Sequence, residues 1–153
     1  MLLGMQITLG GVGGRGGTKD GFEVLVGQYL ERCSGFARCQ SEGFKTEEEF
    51  LEWVGRQRGR TAAQLVLLDS RGRKMTSEAF AGWLGAKRDD GSQHLVFAIG
   101  PASGWSEAAR KQAHLLLSLG DMTMAHALAK LVMAEQIYRA YTILTGHPYH
   151  SGH

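Results

Sequence analysis

Apolar positions along this chain change their spacing repeatedly, and each change is punctuated by glycine or by a helix-capping residue. Alternating strands and helices leave that trace. Five strands are expected: Leu2 to Leu9, Phe36 to Cys39, Gln64 to Asp69, His94 to Ile99, and Leu115 to Leu119. In the third and fourth, Leu65-Val66-Leu67-Leu68 and Leu95-Val96-Phe97-Ala98-Ile99 are unbroken apolar runs, which suit strands buried on both faces of a parallel sheet. Helices separate the strands. The first sets Phe22, Leu25, Val26, Tyr29 and Leu30 on one face. The second starts at Thr46, where Glu49 completes a capping box ahead of Phe50, Leu51 and Val54. A third starts at Thr76 or Ser77 before Phe80, Trp83 and Leu84, and a polar fourth spans Ser106 to His114. The last runs from about Ala125 to Thr145, with Ala127, Leu131, Ala134, Tyr138 and Tyr141 as its packing seam. This order predicts an α/β fold with a mostly parallel sheet of about five or six strands and helices on both faces. Ligands of such sheets sit beyond the carboxyl ends of the strands, so the loops after Asp69, Ile99 and Leu119 are the first places to look.

Composition narrows the class without naming a function. With 153 residues and 43% apolar content, the chain can bury one core, and one domain over 1–153 is expected. A net charge of +2 makes no bulk electrostatic case for nucleic acid but leaves room for local basic clusters. Cys33 and Cys39 are too few for a four-ligand zinc site, and reduced cytosolic thiols are the plain reading. The apolar start, Met1 to Leu9, lacks a basic leader and a small-residue cleavage site, and no run approaches the roughly 20 apolar residues of a membrane span. A soluble cytoplasmic protein is expected.

Candidate chemistry lies at both ends. Gly11-Val12-Gly13-Gly14-Arg15-Gly16 matches the glycine spacing of a dinucleotide-binding turn. That motif also needs an acidic residue at the end of the second strand, where Cys39-Gln40-Ser41 stands instead. A mobile loop that lets Arg15 meet a phosphate is the better reading. Arg56, Arg58, Arg60, Arg71, Arg73 and Lys74 bracket the third strand, either as RNA-backbone contacts or as solvated charges. Near the other end, Glu135 and Arg139 are spaced as a helical ion pair bordering the seam. Four of the six histidines, His126, His147, His150 and His153, fall in the last 28 residues. No acidic or cysteine ligand accompanies the terminal three, and Pro148 keeps a helix from aligning them, so no metal site is expected.

Several segments together resemble the ribosomal large-subunit methyltransferase H family, of the SPOUT class of knotted methyltransferases. They are Leu68-Asp69, Ile99-Gly100-Pro101-Ala102-Ser103-Gly104, Ala134-Glu135 through Tyr138-Arg139-Ala140, and the terminal His147-Pro148-Tyr149-His150. The resemblance implies a homodimer whose part from about 65 to 153 is threaded as a trefoil knot. It implies transfer of a methyl group from S-adenosylmethionine to N3 of a pseudouridine in 23S rRNA of the assembled ribosome. By the same likeness Leu68, Gly100, Leu119, Gly120, Asp121, Met122, Thr123 and Met124 would line the cofactor pocket. The chain departs from the family where Gly-Gly-Pro-Glu-Gly reads Gly100-Pro101-Ala102-Ser103-Gly104. It departs again where the prolines flanking His126 are Ala125 and Ala127, and where an arginine is Lys130.

Pseudouridine N3 attacks poorly until its proton leaves, so positioning and desolvation carry much of the chemistry. His126 or His150 is expected near the target base as a proton acceptor or hydrogen-bond partner, and Arg139 and Lys130 would hold phosphate or developing negative charge. Glu135 would orient Arg139, and Tyr149 would stack on the base or close the pocket. The alternative is a ribosome- or RNA-binding protein of the same fold that has lost methyl transfer. A nicotinamide-dependent oxidoreductase built on Gly11 to Gly16 ranks last.

Overall fold

The glycine-rich start does not end the first strand; it forms part of it. In this computed structural model, which describes residues 4–14, 21–57, 59 and 61–151, β1 spans Gln6–Val12 and carries Gly10 and Gly11 inside it. Helix α1 (Gly21–Cys33) leads to β2 (Arg38–Phe44), which pairs in parallel with β1 from Gln6↔Arg38 to Val12↔Phe44. Both strands therefore lie further along the chain than their apolar residues suggest. Gly10 is tolerated because its neighbours fill the space: a Cβ there would touch the Phe44 and Phe50 rings and Ala98. The edge strand β2 is largely polar and half-exposed, so it has no apolar run to mark it.

Helix α2 (Glu47–Arg56) follows, capped by Thr46, whose Oγ1 accepts from the Glu49 amide at 3.1 Å. The capping box is modified: the Glu49 carboxylate reaches the Lys45 amide rather than that of Thr46. β3 (Gln64–Lys74) runs beyond the expected Asp69. Its register against the last strand breaks between Leu68 and Arg73, so β3 pairs with that strand twice. Gly72 lies against that strand's backbone, where a Cβ would come within 2.5 Å of the Leu116 carbonyl carbon. Helix α3 (Ser77–Asp89) is capped by Thr76, which resolves the choice between Thr76 and Ser77. β4 (His94–Ile99), α4 (Glu107–Gln112), β5 (Leu115–Ser118) and α5 (His126–Thr145) complete the order, and a short 3-10 turn covers Pro148–His150.

All five strands are parallel, in the order β2-β1-β4-β3-β5. Alternation along them feeds two apolar layers. Ile7, Leu9, Val66, Leu95 and Phe97 face α1, α3 and α5, whereas Val12, Leu65, Leu67, Val96 and Ala98 face α2 and α4. α5 packs between α1 and α3. Its buried positions are Ala129, Lys130, Met133, Ala134, Ile137, Ala140, Tyr141 and Thr142. The expected seam is thus rotated: Ala134 and Tyr141 are buried, but Ala127, Leu131 and Tyr138 are only half-buried. α5 is apolar nearly all round, and on such a helix spacing alone does not pick the inward face.

Candidate active site

The central strands end together, and the chain that leaves them encloses a cleft of about 420 Å³. It is lined from the end of β3 by Leu68, Asp69, Ser70 and Arg71, and from β4 by Ile99, Gly100 and the loop to Trp105. From β5 come Leu117 to Gly120, and beyond it Met122, Thr123, Met124 and Ala129. Leu68, Gly100, Leu119, Gly120, Met122, Thr123 and Met124 all line this cleft. Asp121 is not in the lining; its carboxylate pairs with Lys74.

Trp105 holds the floor of the cleft and has no place in the sequence-based expectation. Its indole Nε1–H donates to the Leu68 carbonyl at 3.0 Å, and only 7% of the residue is exposed. The ring fits because position 100 is glycine: a Cβ there would lie 2.8 Å from the indole. An aromatic residue between Gly104 and the Ser106 helix cap was the available signal. Ser106 is fixed in turn by Glu47, which accepts from its amide at 2.9 Å and from its hydroxyl. The Asp69 side chain is itself almost wholly buried; its carboxylate accepts from the Arg71 amide at 2.8 Å and lies 3.3 Å from Arg110 Nε. The Arg110 contact is one of charge, since Nε makes no aligned hydrogen bond.

His126, the first residue of α5, sits over the end of β1. A Cβ on Gly11 or Gly14 would lie 2.9 or 2.5 Å from its Cε1, so these glycines form a bed for the imidazole. This occupied bed is no pyrophosphate turn. His126 Nε2 is buried without a hydrogen-bond partner among the described residues. Burial holds its pKa below the ordinary histidine value; Lys130 acts in the same direction, while the Val12 backbone and Glu23 oppose it. Lys130 is itself buried and donates to Glu23 at 3.2 Å. Arg15, Arg58, Arg60 and His153 lie outside the described residues.

A third cluster joins the far half of α5 to the terminal turn. Glu135 Oε2 accepts from Arg139 Nε and Nη2 at 3.1 and 2.7 Å, and from the Tyr149 hydroxyl at 2.7 Å. The Arg139 guanidinium lies 4.8 Å from the Tyr149 ring centre, and its Nη1 meets His150 Nδ1 at 2.9 Å. Glu78, on the first turn of α3, meets His150 Nε2 at 2.8 Å. Glu135 raises the pKa of Arg139, while burial, with Tyr29 and Glu135, raises that of Tyr149. Glu135, Arg139, Tyr149 and His150 are thus brought together, but not at the cleft. Arg139 lies ten positions beyond Ala129 on α5, about 15 Å along the axis.

This construction of three converging strand ends and a glycine-seated indole belongs to a chain whose residues 5–150 match the family model described as Predicted SPOUT methyltransferase. The chain belongs to the SPOUT methyltransferase family. A relative from Koribacter versatilis (strain Ellin345), named Ribosomal RNA large subunit methyltransferase H, is 48% identical over 139 residues, 90% of this methyltransferase and 94% of that protein. A protein of the same name from Brucella ovis is 52% identical over 88 residues, 58% of this chain and 52% of that one. The SpoU methyltransferase AviRb from Streptomyces viridochromogenes, solved in complex with AdoMet, aligns with a TM-score of 0.49 at 12% identity. That alignment covers 93% of this chain and 61% of that one. Among the described residues of this methyltransferase, no helix is long and apolar enough to cross a membrane.

Proposed function

We propose that this methyltransferase uses S-adenosylmethionine to methylate N3 of a pseudouridine in 23S rRNA of the assembled ribosome. The carrying observation is the cleft at the ends of β3, β4 and β5, in a chain 48% identical over 90% of its length to a protein named Ribosomal RNA large subunit methyltransferase H. Its size is that of a small-molecule site. Its chemistry suits the cofactor, with apolar side chains of Leu68, Ile99, Leu117 and Met124 for a purine face and loop backbone for its edge. Asp69 and Arg71, which also line it, match the charged amino-acid end. The changed loop at 100–104 keeps this cleft open, with Trp105 as its floor, which favours an active enzyme over a bare RNA binder.

When bound, S-adenosylmethionine supplies an electrophilic methyl group on sulfur. The chain's own residues bind, orient and deprotonate the base. His150 accepts the N3 proton through Nδ1 once Arg139 turns from it to an RNA phosphate, and Glu135 steers Arg139 through its two-point contact. Tyr149, half-buried against Tyr138, stacks on the base. His126 is the second base candidate, kept neutral by burial, with Lys130 adding positive charge beneath it. Arg15 contacts the RNA backbone.

The distance between cleft and tail within one chain supports a homodimer in which each tail completes the other copy's cleft. Exposed Leu25 on α1 and Leu128 on α5, helices packed side by side, offer apolar surface for that contact. The chain acts as a single knotted domain in the cytoplasm, a reading supported by its membership of the SPOUT methyltransferase family. Transfer of labelled methyl from S-adenosylmethionine to undermethylated ribosomes tests the reading. Incorporation lost in both Arg139→Ala and His150→Ala is expected, and full activity in both His150→Ala and His126→Ala overturns the proton-acceptor role.

A further inference from the structure

His150 is held from two sides, by Arg139 Nη1 at Nδ1 and by Glu78 Oε2 at Nε2. A guanidinium can only donate. Nδ1 therefore accepts with its lone pair, the ring carries its proton on Nε2, and that proton is donated to the Glu78 carboxylate. A ring protonated on both nitrogens would set N–H against N–H at Arg139.

We infer that Glu78 is a positioning residue for methyl transfer: by accepting the Nε2–H of His150, it fixes the tautomer and keeps the Nδ1 lone pair available to the incoming base. The inference rests on the reading above that His150 takes the N3 proton. A carboxylate behind an imidazole serves the same end in acyl-transfer triads and in metal sites, where it sets ring orientation and basicity.

Glu78 is anchored independently of this contact. Thr76 caps its helix, Ser77 Oγ donates to Gln136 Oε1 at 2.7 Å, and Gln136 Nε2 donates to Glu135 Oε1 at 2.9 Å. The first turn of α3 is thereby tied to the stretch of α5 that carries Glu135 and Arg139. The hydrogen bond from His150 is also the leading cause that lowers the Glu78 pKa. An acid in the first turn of a helix is favoured by the dipole in any case, but that role needs charge and no particular partner.

Nitrogen-15 spectra of the imidazole, read beside steady-state methylation of ribosomes, test the assignment in Glu78→Ala, Glu78→Gln and His150→Ala. Wild type is expected to show His150 as the Nε2–H tautomer. Because Arg139 also holds Nδ1 as an acceptor, the tautomer is read in the Arg139→Ala background, where adding Glu78→Ala is expected to mix it; in the otherwise wild-type chain Glu78→Ala is expected to lower kcat about tenfold, with KM for S-adenosylmethionine unchanged. Glu78→Gln retains an acceptor oxygen and is expected to restore both. A tautomer that Glu78→Ala leaves unchanged in the Arg139→Ala background together with an unchanged kcat in the single variant, or a Glu78→Gln as damaged as Glu78→Ala, would overturn the inference. A fully active His150→Ala would overturn the tail reading together with it, whereas an inactive His150→Ala beside a fully active Glu78→Ala would overturn the role of Glu78 alone.

Discussion

Trp105 donates its indole N–H to the Leu68 carbonyl at 3.0 Å, fastening the loop after β4 to the end of β3 at the floor of the cleft. Gly100 makes the bond possible, since any Cβ there would lie 2.8 Å from the ring. Gly100→Ala must move the indole, break the bond, or both. Overpacking of this kind costs about 1–3 kcal/mol, and if that cost falls on the cleft, affinity for S-adenosylmethionine should drop by about fivefold to a hundredfold. Calorimetry reads this directly, and an unchanged Kd would show that the indole does not shape the cleft.

Trp105→Phe keeps an aromatic ring but leaves the Leu68 carbonyl without its donor. A loss of about 1–3 kcal/mol in urea unfolding is expected. Stability equal to wild type would mean that water or another group replaces the indole at no cost.

The contact between His126 and Gly14 predicts a coupling. Gly14→Ala would place a Cβ 2.5 Å from the imidazole, whereas in His126→Ala that space is open. The alanine at position 14 should therefore destabilise the wild-type background more than the His126→Ala background, by about 1 kcal/mol or more. Additive effects in a double-mutant cycle would argue against the glycine bed.

Acid sensitivity follows from three histidines. Burial holds His94, His114 and His126 below the ordinary value of 6.5, so the unfolded chain takes up protons at a higher pH than the folded one. Their contribution is fully present above about pH 6.5 and is lost as pH falls through the lower folded values. Glu78 and Asp90, already held below 4.5 and 3.8, act only in more acidic solution. The urea midpoint should thus begin to fall just below pH 6.5, and His94→Gln should make that fall shallower. A midpoint flat from pH 7 to pH 5 would contradict the burial of these rings.

Legibility in the sequence followed burial. β4 and the first half of β3 announce themselves because both their faces are covered, which makes every position apolar. β1 runs later than its apolar residues suggest because Gly10 and Gly11 look like a loop; Phe44, Phe50 and Ala98 around Gly10, and His126 over Gly11, explain their place in a strand. The cleft was legible because strand ends in a parallel sheet are where ligands bind, and seven of its lining residues were named on that ground and on family likeness. Trp105 and Glu78 were not. Trp105 acts on Leu68, 37 residues earlier, and Glu78 acts on His150, 72 residues later, and no local pattern encodes such pairs. The burial of Lys130 is not legible either, because the partner that permits it, Glu23, lies 107 residues earlier.

The proposed reaction is methylation of a pseudouridine of 23S rRNA. Mass spectrometry of 23S rRNA nucleosides from cells with and without the gene tests it most directly. A methyl-pseudouridine signal that disappears with the gene and returns with the wild-type chain but not with Arg139→Ala is expected. An identical signal in both strains would contradict it.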